Sequence, residues 1–165
     1  GAGELGDVAG VAQWLEANRP AGFAPGILHG DYHLANVMFR PDAPELAAII
    51  DWELATIGDP LVDLGWVLAT WPQAADGGML AIAPWNGFPQ ASELVAHYAA
   101  QATRAVDRID WYGVFACYKL AILLEGTFAR TCAGKAPADV GERLHGRAKW
   151  LFARAARWIE RGILG

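Results

Sequence analysis

Apolar positions first recur at helical spacing near the start of the chain. Val8, Val11, Ala12, Trp14 and Leu15 share one side of a predicted helix, and Asp7 supplies an N-cap oxygen. Pro20 and the glycines at 22 and 26 close that segment. Ile27 and Leu28 read as a short apolar strand or an extended lead-in. Residues 29–36 then hold too many polar groups, and too little periodicity, for a regular element. Residues 37–39 read as a strand, and Pro41-Asp42-Ala43-Pro44 is turn chemistry. Residues 46–50 form a second strand, apolar throughout and therefore expected to be buried.

Beyond residue 59 the pattern is helical. Asp59 followed by Pro60 predicts a capped helix running to about Trp71. Residues 72–91, rich in Pro and Gly, read as a loop. Ser92 is expected to cap a helix ending near Val106. Asp110 is expected to cap a longer one, from Trp111 to about Thr131, ended near Gly134. A last helix covers roughly residues 139–162. The expected architecture is α+β and helix-dominant, a small hairpin on a helical body. A single domain over residues 1–165 divides into a loop and hairpin at 27–58 and a helical body at 59–165.

Composition sharpens this picture. A chain of 165 residues, 54% hydrophobic and 19% charged, can bury a core and is not disordered. Two cysteines exclude a disulfide framework and point to a reducing, cytoplasmic setting. Lys119 and Glu125 bracket the best apolar run, Leu120 to Leu124, so no membrane span is expected, and the first residues do not read as a secretory signal. Between residues 29 and 63, seven acids (Asp31, Asp42, Glu45, Asp51, Glu53, Asp59, Asp63) face one base, Arg40. That density attracts cations and repels nucleic acid. The bases of residues 139–165 fall among Trp150, Leu151, Phe152 and Trp158, the pattern of a solvated helix face.

The chemistry concentrates where the acids do. If Val37 faces Ile50 and Phe39 faces Ala48 in an antiparallel hairpin, Asn36 and Asp51 lie opposite each other at its base. An amide oxygen beside a carboxylate is a hard oxygen site suited to Mg²⁺. Asp31, five residues before Asn36, enters the same end of the hairpin. Phosphoryl transfer needs these parts: a metal to offset phosphate charge, an Asp to accept the hydroxyl proton, and an Asn beside the metal. The spacing His29-Gly30-Asp31 to Asn36 is that of a kinase catalytic loop, and Asp51 follows after a hairpin.

Three segments make a resemblance. They are His29-Gly30-Asp31-Tyr32-His33-Leu34-Ala35-Asn36, Ile50-Asp51-Trp52-Glu53, and Gly58-Asp59-Pro60-Leu61-Val62-Asp63-Leu64-Gly65. Together they resemble the aminoglycoside phosphotransferase / choline kinase-like family, in the branch related to acyl-CoA dehydrogenase family kinase domains. The resemblance implies the C-terminal lobe of a protein-kinase-like fold, with the nucleotide-binding N-terminal lobe missing. It implies transfer of the ATP γ-phosphate to a hydroxyl of a small-molecule acceptor. It assigns the catalytic base to Asp31 and the Mg²⁺ ligands to Asn36 and Asp51. His29 would brace the loop, and Asp63 would tie the helix start to it. No Gly-rich strand-turn-strand and no strand lysine precede the loop, so the chain alone is expected to be weak or inactive.

Other readings of the same residues stand beside this one. His29 and His33 could belong to a transition-metal hydrolase site. His33 otherwise supports the loop or approaches substrate. Glu53 is either a loop carboxylate or an aid to a second metal. Trp71, Trp85 and Trp111 read as packing residues near an acceptor region. A non-catalytic alternative is a binding or dimerising module, its apolar surface bared around Ile27, Leu28 and Leu54.

Overall fold

The structure is a computed structural model and describes residues 5–72, 79, 88–134 and 137–164. Among the described residues, five α-helices and two separate two-stranded antiparallel ribbons make the fold. Helix α1, Val8–Ala17, starts as predicted, with Asp7 Oδ1 accepting from the Gly10 amide at 2.8 Å. Strand β1, Gly26–Leu28, pairs with β4, Thr56–Gly58, a strand the hydropathy pattern did not reveal. Strands β2, Val37–Phe39, and β3, Leu46–Ile49, form the expected hairpin.

Its register differs from the expectation by one residue. Val37 pairs with Ile49 and Met38 with Ala48, and an irregularity at Met38/Phe39 shifts Phe39 onto Leu46. Asn36 therefore faces Ile50, whose amide donates to the Asn36 carbonyl at 3.0 Å, and Asp51 lies one step beyond. Nor is the predicted strand 46–50 buried: Leu46 of β3 and Ile50, just past its end, are exposed. A two-stranded ribbon has two faces, and only one can lie on the helical body. The same holds for β1–β4, where Ile27 and Ile57 are paired and 69% and 70% exposed. Leu54 is exposed, but Leu28 is buried, so only part of the anticipated bare surface exists.

The core is helical. Helices α2, Leu61–Thr70, α4, Ile109–Cys132, and α5, Ala138–Arg161, pack around Leu68, Val114, Cys117, Ala121, Leu151 and Phe152. Gly65 of α2 meets α4 so closely that a Cβ there would stand 2.4 Å from the Tyr112 carbonyl oxygen. By length and composition α4 could cross a membrane, contrary to the sequence reading. In this fold it is the central helix, its Tyr112, Val114, Ala116, Cys117 and Ala121 buried against its neighbours.

Helix starts also moved. Helix α3, Ala91–Gln101, is capped by Gln90 in a reciprocal box with Glu93, not by Ser92, and stops five residues before Val106. Asp110 lies inside α4, where its Oδ1 accepts from the Ile163 amide at 2.7 Å instead of capping. Most of the predicted 72–91 loop, with Trp85, lies outside the described residues.

Candidate active site

Residues 29–36 leave β1 and fold into a loop that a short 3-10 turn, Leu34–Asn36, joins to β2. Gly30 turns the loop at φ +88°, and a Cβ there would stand 2.5 Å from the Leu54 carbonyl oxygen. Only glycine fits both constraints.

His29 is buried and bridges three pieces of chain. Its Nε2 lies 2.7 Å from the Ile50 carbonyl, which can only accept, so the proton sits on Nε2. Its Nδ1 is then free to accept from the Asp31 amide at 3.3 Å. With both ring nitrogens spent on backbone, His29 has no lone pair for a transition metal. Its neighbour His33 caps the 3-10 turn, Nδ1 accepting from Ala35 at 3.2 Å, with Nε2 3.4 Å from Asp31 Oδ1. The hydrolase alternative thus loses both histidines to the loop's own geometry.

Asp31 and Asn36 are brought into contact. Asn36 is buried, and its Nδ2 donates to the Asp31 carbonyl at 2.9 Å and approaches Asp31 Oδ2 at 3.4 Å. Among the described residues its amide oxygen accepts no hydrogen bond. Trp66 of α2 donates from Nε1 to Asp31 Oδ1 at 2.8 Å. Trp66 was not among the candidate site residues that the sequence suggested. The signal available was its spacing, one helical turn after Asp63.

Asp63 stands in the first turn of α2 and accepts from the amides of His29, at 2.6 Å, and Gly30, at 2.9 Å. Burial and the nearby Asp63 charge raise the Tyr32 hydroxyl above its ordinary range. Asp51 is not in hydrogen-bond contact with Asp31 or Asn36. It is the one non-glycine residue at positive φ among the described residues, at φ 65° and ψ 55°. Preceding it, Ile50 is held by Asn36 through its amide and by His29 through its carbonyl. The left-handed turn follows that doubly held residue directly. Such a conformation is tolerated by Asp but costs about 1 kcal/mol, and is retained where surrounding structure imposes it.

A cavity of about 780 Å³ opens beside the loop, lined by His29, Tyr32, Trp52, Leu94, Tyr98 and Arg104 among others. Asp63 is its only carboxylate among the described lining residues, and its oxygens are taken by backbone amides.

A helical body that presents this braced loop, with an aspartate at the end of a short ribbon, has the fold of one lobe of a kinase-like phosphotransferase. Residues 2–112 match the Phosphotransferase enzyme family (APH), and the chain belongs to that family. It is 27% identical over 139 residues to Acyl-CoA dehydrogenase family member 10 of Mus musculus, covering 81% of this chain and 13% of that protein. To Acyl-CoA dehydrogenase family member 11 of Gallus gallus it is 28% identical over 159 residues, covering 91% of this chain and 20% of the relative. The chain therefore spans a fifth or less of these curated relatives. A solved structure from Ralstonia eutropha, assigned as an aminoglycoside phosphotransferase, superposes with a TM-score of 0.72 at 29% identity. That match covers 91% of this chain and 49% of the other, as expected for one lobe.

Proposed function

We propose that this lobe transfers the ATP γ-phosphate to a hydroxyl of a small-molecule acceptor, in a magnesium-dependent reaction. The observation that carries this reading is the pairing of Asp31 with Asn36. The amide nitrogen of Asn36 is spent on Asp31, and its oxygen is left for a cation. Asp51, exposed and without a side-chain hydrogen bond at its left-handed turn, supplies a carboxylate of the same hard chemistry. Asn36 and Asp51 would hold Mg²⁺, which offsets phosphate charge when bound. Asp31 accepts the acceptor hydroxyl's proton as that oxygen attacks phosphorus. His29, His33 and Asp63 hold the loop so that little reorganisation accompanies the step.

The cavity beside the loop favours an acceptor with a largely apolar body. The single carboxylate among its described lining residues is already paired and Arg104 lines it, an environment poorly suited to a polycation.

Because the lobe alone is expected to be weak or inactive, the proposal is tested on the lobe joined to a nucleotide-binding lobe, by calorimetry of ATP binding with and without Mg²⁺ and then phosphate transfer to a panel of alcohols. Magnesium-dependent binding that disappears in Asn36→Ala and Asp51→Asn is expected. Asp31→Asn should retain binding but lose transfer by on the order of a hundredfold or more. Binding unaffected by magnesium or by either substitution would reject it.

The exposed apolar faces of the two ribbons, at Ile27, Ile57 and Phe39, favour a second reading as a binding or dimerising module. Under that reading ATP gives no heat, and light scattering shows association that rises with concentration.

A further inference from the structure

The geometry points to Trp66 as the positioning residue that aims the Asp31 carboxylate, an inference that rests on the proposed role of Asp31 as base. A carboxylate on a short stem turns broadly about its last torsion, so either oxygen could face a substrate. Here the two oxygens are not equivalent. Oδ1 receives the Trp66 indole N–H at 2.8 Å and is approached by His33 Nε2 at 3.4 Å. Oδ2 has one long contact, Asn36 Nδ2 at 3.4 Å. The indole thus occupies one oxygen and leaves Oδ2 to take a proton.

The indole is itself held. Trp66 is buried to 3% exposure, and Lys119 Nζ of α4 sits 5.1 Å from its ring centroid. A cation on the face draws density from the ring and strengthens its N–H as a donor. Trp66 follows Asp63 by one turn of α2, so one helix grips the loop at two levels. Asp63 takes the His29 and Gly30 amides, and Trp66 takes the Asp31 side chain. A base displaced by a fraction of an ångström from its productive pose loses rate without losing affinity.

The test replaces the N–H and little else. In the lobe joined to a nucleotide-binding lobe, Trp66 is exchanged for benzothienylalanine, in which sulfur stands where the indole nitrogen was, and separately for phenylalanine. Expected is a kcat lower by on the order of tenfold to a hundredfold, with acceptor KM and Mg-ATP affinity within about twofold of the unsubstituted chain. In a ¹⁵N-labelled chain, the indole cross-peak lost in Trp66→Phe should move on Asp31→Ala while the other indoles stay. If the ring variants do not fold, the Trp66 cross-peak is assigned by its nuclear Overhauser contacts to Lys119, and the Asp31→Ala spectrum then decides. An unmoved cross-peak, or full kcat in the sulfur variant, overturns the positioning role and leaves the transferase reading intact. No magnesium-dependent transfer by the unsubstituted lobe when it is joined to a nucleotide-binding lobe overturns that reading, and the positioning role with it.

Discussion

Asp63 Oδ2 lies 2.6 Å from the backbone nitrogen of His29, thirty-four positions away in the chain. The other oxygen of the same carboxylate accepts from Gly30 at 2.9 Å. One side chain at the start of α2 therefore satisfies two successive amides of the loop that carries Asp31. The helix dipole favours negative charge at that end, and the amides lose no hydrogen bond on leaving water.

Asp63→Asn turns one acceptor into a donor facing an amide donor. The expected cost is about 1–3 kcal/mol, read as a lower urea midpoint at unchanged slope. Amide exchange at His29 and Gly30 should speed up in the same variant. Unchanged exchange there would mean the loop is held by something other than this carboxylate.

Gly30→Ala places a Cβ against the Leu54 carbonyl at a φ of +88°. A destabilisation of about 1–3 kcal/mol is expected from the backbone conformation alone. Gly22→Ala is the control, because nothing lies within 4 Å of a Cβ built there. It should fall within about 0.5 kcal/mol of the unsubstituted chain. Equal thermal midpoints for the two variants would contradict the account of the turn.

Arg154 is fully buried, and its Nη1 donates to the carbonyls of Leu68, Ala69 and Trp71 at 3.2, 2.9 and 2.9 Å. These carbonyls close α2, whose far end holds the loop. Their partial negative charge and the faces of Trp150 and Trp158 replace water around the cation. Arg154→Leu leaves buried acceptors without donors, and a loss on the order of 3 kcal/mol is expected in chemical unfolding. Stability within error of the unsubstituted chain would show that water or rearrangement satisfies the helix end.

Tyr112 donates to buried Asp59, joining α4 to the start of α2. Burial first, and then that hydrogen bond, push the phenol well above its ordinary value of 10.0. Its folded form therefore holds the proton more tightly than the unfolded form. This stabilisation is fully present below pH 10 and is lost as pH rises through the folded value, because the unfolded chain releases its proton first. Tyr112→Phe should cost about 1–3 kcal/mol near neutral pH, since the Asp59 carboxylate loses a donor. The gap between variant and parent should narrow above pH 10 in denaturation followed by circular dichroism. A gap constant to pH 11 or so would contradict the linkage.

Local chemistry made several features readable before any coordinates. Asp7 capped its helix, the β2–β3 hairpin formed around the Pro-Asp-Ala-Pro turn, and the long helices followed their apolar period. Register was not readable, because the irregularity at Met38/Phe39 shifts the pairing without a marking residue such as Gly. Strand β4 escaped notice because a three-residue strand pairing with residues thirty positions earlier has no period to display. The β3 burial failed for a different reason: apolar content reports what could be buried, not whether a second layer covers it.

By itself the sequence determined the helix-dominant class and the spacing of Asp31, Asn36 and Asp51, since caps, turns and periodicity act over a few residues. Only the tertiary structure decided which partners those side chains received. Trp66 on Asp31, Asp63 on the loop amides and Arg154 on the end of α2 join residues 33 or more positions apart. Such pairings depend on how α2 packs against its neighbours, and packing is set by the whole core at once rather than by any local run of residues.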